Sequence, residues 1–216
     1  MHSNLTELLP EGAQYSRAAL SNPVPKLLLV PIYLVRHGET DWTVSRRHTG
    51  RTDLPLNPRG EEQARNLGRR LAGVNFDRVV ASPMLRARQT AQLAGFGVNL
   101  EIAPGLREYD YGEFEGLTRE QIEGIWPGWD LWRDGCPGGE SPEAVLLRAQ
   151  RLLEGLGLAA DDTSVLFGHG HILRAVAAAY LGQDVGICRH LMVQVASVSV
   201  LGCEHGLPAI QSWGAA

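Results

Sequence analysis

Residues 32–39 read Ile32-Tyr33-Leu34-Val35-Arg36-His37-Gly38-Glu39, and they close a longer apolar run that begins at Leu27. A short, aliphatic, β-branched run of this kind predicts a buried strand over residues 27–35. It stops at Arg-His-Gly, which puts a guanidinium and an imidazole at the strand's C-terminal end. Open α/β sheets bind ligands at that edge. Three further segments follow: Ser82-Pro83-x-x-Arg86 with Gln89-Thr90-Ala91, Leu106-Arg107-Glu108, and Gly168-His169-Gly170-His171. Each falls at or near the end of a predicted strand. Together they would gather two histidines, arginines and one carboxylate in a single pocket, the groups needed to move a phosphoryl group without a metal.

The 216 residues suffice for one domain with a substantial core. No linker, repeat or low-complexity tract divides the chain, so the expected organisation is an N-terminal arm over residues 1–25 and a single domain over 26–216. A short helix is expected near residues 3–9. The net charge of -4 argues against a general nucleic-acid binder. Lys26 is the only lysine, and most arginines fall on predicted helix surfaces, so only those inside motifs carry weight. Cys136, Cys188 and Cys203 are odd in number and widely spaced, which fits free thiols in a reducing compartment. Residues 1–10 lack a basic-then-apolar leader, and the 27–35 run is too short to span a bilayer and is interrupted by Pro31. The expectation is a soluble cytoplasmic protein that engages no membrane.

Helices are predicted over residues 57–72 (Asn57 cap, Pro58 in the first turn), 83–94, 118–125 (a Thr118/Gln121 capping box), 141–156 (Ser141 cap, Pro142) and 171–181. Strands are predicted over 27–35, 77–81, 99–103, 164–167 and 193–201, with an antiparallel edge strand over 209–213. Residues 41–56, 106–117 and 126–140 read as loops. Strands alternating with helices imply parallel pairing and right-handed crossovers. The fold class is therefore α/β, a three-layer α/β/α arrangement around a mostly parallel central sheet.

The ordered motifs over residues 27–213 resemble the histidine phosphatase superfamily, which includes the cofactor-dependent phosphoglycerate mutases. The resemblance implies a phosphoglycerate mutase-like fold with no metal and no cofactor, and a phosphohistidine intermediate on His37. Arg36 and Arg86 would supply positive charge that keeps the imidazole neutral and would clamp the phosphate. His169 would donate to the phosphoryl oxygens. Glu108 would protonate the leaving alkoxide and then act as base toward water. Thr43, Thr49, Gly50, Tyr111 and Gly170 fall where the family places further substrate contacts. Thr43 departs from the pattern, since many members carry Asn there.

Several residues admit two readings. His171 makes a His-x-His pair with His169, but an intervening Gly and helix start favour packing or capping over a metal site. His48 either lines the pocket or faces solvent. His2, His190 and His205 carry no signal, Arg88 reads as a surface residue, and Cys136 has no base placed beside it. No Gly-x-Ser-x-Gly, Walker loop or dinucleotide glycine pattern occurs.

Residues 112–167 lack the basic insertion with which phosphoglycerate mutases retain a bisphosphate, and Gly170-His171 replaces their Gly-Asn. Both features favour a phosphatase over a mutase. Residues 107–112 and 132–141 are similar to a branch of sedoheptulose-bisphosphatase-like and other sugar or glyceryl phosphate phosphatases. Trp129 and Trp132 would either cover a sugar face or anchor their loop on the core, and whether Arg133 reaches a second phosphate or carboxylate is left open. The expected partner is a small phosphorylated metabolite. Pairing through 193–201 or the sheet edge leaves a homodimer open, and a non-catalytic phospho-ligand module is the alternative of a different class.

Overall fold

The computed structural model describes residues 31–157 and 162–215. The predicted arm, its helix and residues 27–30 of the first strand lie outside them. β1 (Ile32–Arg36), β2 (Arg78–Ala81), β3 (Glu101–Ile102), β4 (Ser164–Gly168), β5 (Val198–Glu204) and β6 (Leu207–Ala215) form one sheet in the order β3-β2-β4-β1-β5-β6. The first four in that order run parallel, while β5 is antiparallel to β1 and β6 to β5. The central strands β1 and β4 are largely buried because helices cover both faces, whereas the edge strands β3 and β6 are not. Ile32, Leu34, Val80 and Leu166 face α6 (Pro142–Leu156) and α7 (Gly170–Tyr180). Val35, Ala81, Val165 and Phe167 face α2 (Pro58–Leu71) and α3 (Leu85–Leu93). This is the expected three-layer α/β/α fold with a mostly parallel sheet.

Local chemistry places the helix starts where expected. The Asn57 side chain accepts from Gly60 N at 2.8 Å and Pro58 opens α2, whose buried face is Gly60, Ala64, Leu67 and Leu71. Thr118 and Gln121 form a reciprocal capping box on α4 (Arg119–Ile125). Ser141 caps α6, which ends at Gly157 in the left-handed region, φ 54°. α7 is different: its N-cap is His169, whose side chain makes no capping bond. A carboxylate from elsewhere takes that role: Glu108 accepts from His171 N and Ile172 N at 2.9–3.1 Å.

Three expectations need correction. The 41–56 loop contains the short helix α1 (Asp41–Val44), held by a Thr40/Thr43 capping box. The 126–140 loop contains α5 (Leu131–Asp134), capped by Asp130. The strand predicted over 193–201 starts only at Val198. Before it the chain turns, with Ala196 at φ 52°, and Ala196 N donates to His37 O at 3.1 Å. Short polar caps and long-range backbone bonds are not carried by hydrophobic period, so the pattern missed them.

The residue pairing aligns the motifs. Arg36 pairs with Gly168 across β1 and β4, and Ala81 pairs with Phe167 across β2 and β4. His37, Ser82 and His169 therefore leave three adjacent strands at one edge. The turn after β1 is seated on α2 backbone to backbone. A Cβ on Gly38 would collide with the Gly60 carbonyl, and one on Gly60 with the Glu39 carbonyl. Backbone cannot yield as a flexible side chain can. Gly60→Ala is accordingly expected to destabilise by about 1–3 kcal/mol and to lower Tm by roughly 3–10 °C, read by calorimetry. An unchanged Tm would show that this seat is not tight.

Candidate active site

His37 lies at the C-terminal end of β1 and is 4% exposed. Its backbone N donates to Gly168 O at 3.0 Å. Its Nδ1 lies 2.7 Å from Gly38 O. A carbonyl only accepts, so the hydrogen sits on Nδ1 and Nε2 keeps its lone pair. Burial, then Arg86 and Arg36, pushes the His37 pKa well below the ordinary histidine value. The imidazole is held neutral, as a nucleophile must be.

His169 is the complement. It is fully buried, with its ring centroid 5.1 Å from that of His37. Arg86 Nε donates to its Nδ1 at 3.1 Å, so Nε2 carries the hydrogen and donates to Ser82 Oγ at 2.8 Å. Burial and Arg86 also hold this ring neutral. The two imidazoles thus present opposite faces, one with a lone pair at Nε2 and the other with a hydrogen.

Arg86 is 0% exposed, in the first turn of α3. Besides His169 it donates to Thr52 O, Thr49 O and Gly50 O at 2.9–3.2 Å. Its donors are turned to His169 and to the 49–52 loop, and it does not line the cavity described below. The loop itself is held by Glu115, which accepts from Gly50 N and Thr52 N at 2.9–3.0 Å. Thr90 ties the two halves together: its hydroxyl accepts from Gly38 N at 3.1 Å and donates to Arg86 O at 2.7 Å.

A cavity of about 250 Å³ opens on His37, lined also by Arg36, Thr43, Arg46, Arg47, His48, Thr49, Glu108, Tyr111, Gly170, His171 and Arg174. Arg36 Nη1 donates to Val193 O at 2.6 Å, and its buried Nε has no partner among the described residues. Glu108, 8% exposed, takes N–H bonds from Tyr109, His171 and Ile172. Thr49 and Gly170 line the cavity. Thr43 does too, but its hydroxyl is committed to Thr40, donating to its carbonyl at 2.8 Å and accepting from its N at 2.9 Å. Gly50 lies instead on a separate cavity of about 660 Å³ that Glu108 also lines, and its N–H is taken by Glu115. Tyr111, whose hydroxyl burial and Glu108 keep protonated well above the ordinary range, meets His171 Nδ1 at 2.6 Å.

His48 lines the cavity, of the two positions open to it, and stacks on His171 at 6.4 Å. His171 packs at the helix start against Tyr111 and Trp132. Trp129 and Trp132 are 1% and 6% exposed and anchor their loop in the core. Arg133 is exposed and paired with Asp134, and it does not line the His37 cavity. Cys136 is buried, its thiol pushed up to about 12, and inert. Sequence reasoning missed Arg46, Arg47 and Arg174. For Arg174 the signal was its spacing of four from Gly170, which puts both on one helix face.

The family model described as histidine phosphatase superfamily (branch 1) matches residues 32–216. An acid phosphatase of Mycobacterium tuberculosis is 40% identical over 82% of this chain and 88% of its own length. A sedoheptulose 1,7-bisphosphatase of Saccharomyces cerevisiae is 37% identical over 70% and 68%, and a probable phosphoglycerate mutase of Enterobacter sp. is 32% identical over 86% and 90%. The solved structure of an open reading frame of Mycobacterium tuberculosis superposes with a TM-score of 0.82 at 35% identity, covering 86% of this chain and 97% of that one. A mycobacterial glucosyl-3-phosphoglycerate phosphatase superposes at 0.76 and 30% identity, covering 87% and 99%.

His37, His48, His169 and His171 are all held neutral, chiefly by burial. The unfolded chain takes up protons at these positions as pH falls through about 6.5, whereas the folded chain does not. Their neutral forms are therefore favourable above that pH, and stability is lost as pH falls below it, at up to about 1.4 kcal/mol per pH unit for each histidine. Urea unfolding at pH 7.5 and 5.5 should show this loss, with a shallower slope in His37→Asn. A flat profile would contradict the protonation states assigned here.

Proposed function

The chain belongs to the histidine phosphatase superfamily, and on that footing we propose that it hydrolyses a small phosphorylated metabolite through a covalent phosphohistidine on His37. The observation that carries this is the pairing of a neutral His37, lone pair on Nε2, with Arg36 and Glu108 on one cavity and with Arg86 and His169 directly behind it.

In the first step His37 Nε2 attacks phosphorus and the ester P–O bond breaks. The leaving oxygen takes a proton from Glu108. Arg36, with its unpartnered Nε, and the Gly170 end of α7 offset the phosphoryl charge. His169, on repointing its Nε2 hydrogen from Ser82, adds a donor. In the second step water attacks phosphorus, Glu108 accepts its proton, the P–N bond breaks and His37 is restored. Splitting one displacement into two lowers each barrier, and no step requires a metal or a cofactor.

Two observations favour hydrolysis over mutase transfer. The acid phosphatase and sedoheptulose bisphosphatase relatives are more similar to this chain than the probable mutase. Three of the four arginines between Glu108 and His169 are also spent on structure: Arg119 on Glu123 and Trp129 O, Arg133 on Asp134, and Arg148 on Glu140.

Phosphate release from a panel of sugar mono- and bisphosphates, 3-phosphoglycerate, glucosyl-3-phosphoglycerate and phosphoserine tests the proposal, with EDTA present. The wild type should turn over at least one ester, and His37→Ala should lose about 10³-fold or more while still binding it. Conversion of 3-phosphoglycerate to its 2-isomer after priming with bisphosphoglycerate, without net release, would make the protein a mutase. Binding without turnover by the wild type would make it a non-catalytic module.

A further inference from the structure

Two loops of the site press together at Gly50. A Cβ there would lie 2.5 Å from Tyr109 O and 3.1 Å from Tyr111 Cδ2, so no side chain fits between the 49–52 loop and the 108–111 loop. Neighbouring residues of these loops divide between two cavities. Thr49 and Tyr111 line the His37 cavity, whereas Gly50 and Asp110 line the cavity of about 660 Å³. Glu108 is the one residue among those described that lines both. The proposed chemistry uses the first cavity and leaves the second without a role.

The two cavities differ in charge. Apart from Glu108, the described residues of the His37 cavity include four arginines, Arg36, Arg46, Arg47 and Arg174, and no acid. Those of the second cavity include three of each sign: Arg51, Arg107 and Arg148 against Asp53, Asp110 and Glu140. Arg51 pairs with Asp110 and Arg148 with Glu140, and Asp53 accepts from Leu85 N at 2.6 Å. A cleft of one sign concentrates the opposite charge, and a balanced cleft does not. An anionic ester is therefore drawn to the His37 cavity, and the second is left to an uncharged guest.

Dephosphorylation needs such a guest beside Glu108. The attacking and leaving oxygens lie in line at phosphorus, so water must take the position opposite His37 Nε2 that the leaving oxygen held. Glu108, which protonates that oxygen in the first step, stands beside this position. The His37 cavity, at about 250 Å³, is small against the roughly 300–1,000 Å³ of ligand pockets. An ester that fills it leaves water no way past. Glu108 Oε1 is met by the N–H groups of Tyr109, His171 and Ile172, whereas Oε2 shares only that of His171. Oε2 thus keeps a lone pair for a proton.

We infer that the second cavity is the entrance by which water reaches Glu108 and the phosphohistidine, while the His37 cavity holds the ester and its departing alcohol. This rests on the phosphatase reading and assigns its two steps to two cavities. In the second step the water oxygen bonds to phosphorus as the P–N bond breaks. One water proton passes to Glu108 Oε2, the other stays on the phosphate, and His37 Nε2 recovers its lone pair.

Arg107 is the place to block this entrance. It is exposed on the wall of the second cavity, and among the described residues its backbone, not its side chain, is bonded within the fold. Arg107→Trp fills the cavity, and Arg107→Ala removes the same charge while leaving it open. Single turnovers are followed on an ester that the wild type hydrolyses. In Arg107→Trp the phosphohistidine should form within about twofold of the wild-type rate and decay about tenfold or more slower. In Arg107→Ala both rates should stay near wild type. Should the Trp variant not fold, Arg107→Cys capped with benzyl methanethiosulfonate repeats the test: decay should slow on capping and recover when dithiothreitol removes the cap. Wild type treated alike is the control, and its Cys136 and Cys188 are buried. Decay unchanged by blocking, formation slowed as much as decay, or decay slowed equally in Arg107→Ala each overturns the inference and leaves the phosphatase standing. A wild type that forms no phosphohistidine and releases no phosphate overturns both.

Discussion

The buried guanidinium of Arg86 is the constraint on which the rest of the site depends. It is shut away from water with no carboxylate at ion-pair distance among the described residues. It is compensated instead by three loop carbonyls and one imidazole nitrogen. Each compensation fixes something. Donation to His169 Nδ1 sets that ring's tautomer. Donation to Thr49, Gly50 and Thr52 shapes the wall of the site, with Glu115 pulling the same loop from the other side. The charge itself helps keep His37 and His169 neutral. Hydrogen-bonding and electrostatic roles that seem separate thus come from a single group placed by one turn of helix.

The sheet makes this placement possible. The parallel pairing of β1, β4 and β2 brings residues far apart in sequence to one edge, with His169 on the strand between those that carry His37 and Ser82. Glu108 joins from a loop, and the exposed N-terminal amides of α7 hold it. That helix lacks a cap of its own, so the carboxylate completes the fold and the site together.

Much of this was legible in the sequence because it is written in local chemistry. Strand ends showed as apolar runs that stop at His37 and His169, and helix starts showed as Asn57, Thr118 and Ser141. Less legible were features set by contacts across the chain. Thr43 resembles a ligand position, yet its hydroxyl is consumed by a cap with Thr40. Arg86 reads as a phosphate clamp, yet its donors turn inward to carbonyls. Residues 193–197 read as strand, yet they bend so that Val193 O can meet Arg36. Arg133 and Arg174 are alike as letters, and only the fold separates a surface ion pair from a partly buried cation on the cavity wall. Periodicity reports which face is buried but not which polar partners wait there.

The central claim is that phosphorus passes through a covalent bond to His37. The most direct measurement is a rapid acid-free quench of the enzyme with a labelled ester it turns over, followed by peptide mapping of the bound label. The account predicts an alkali-stable, acid-labile phosphoryl adduct on the peptide that carries His37, formed in a burst and absent from His37→Ala. Turnover with no adduct, or an adduct mapped to another residue, would contradict it.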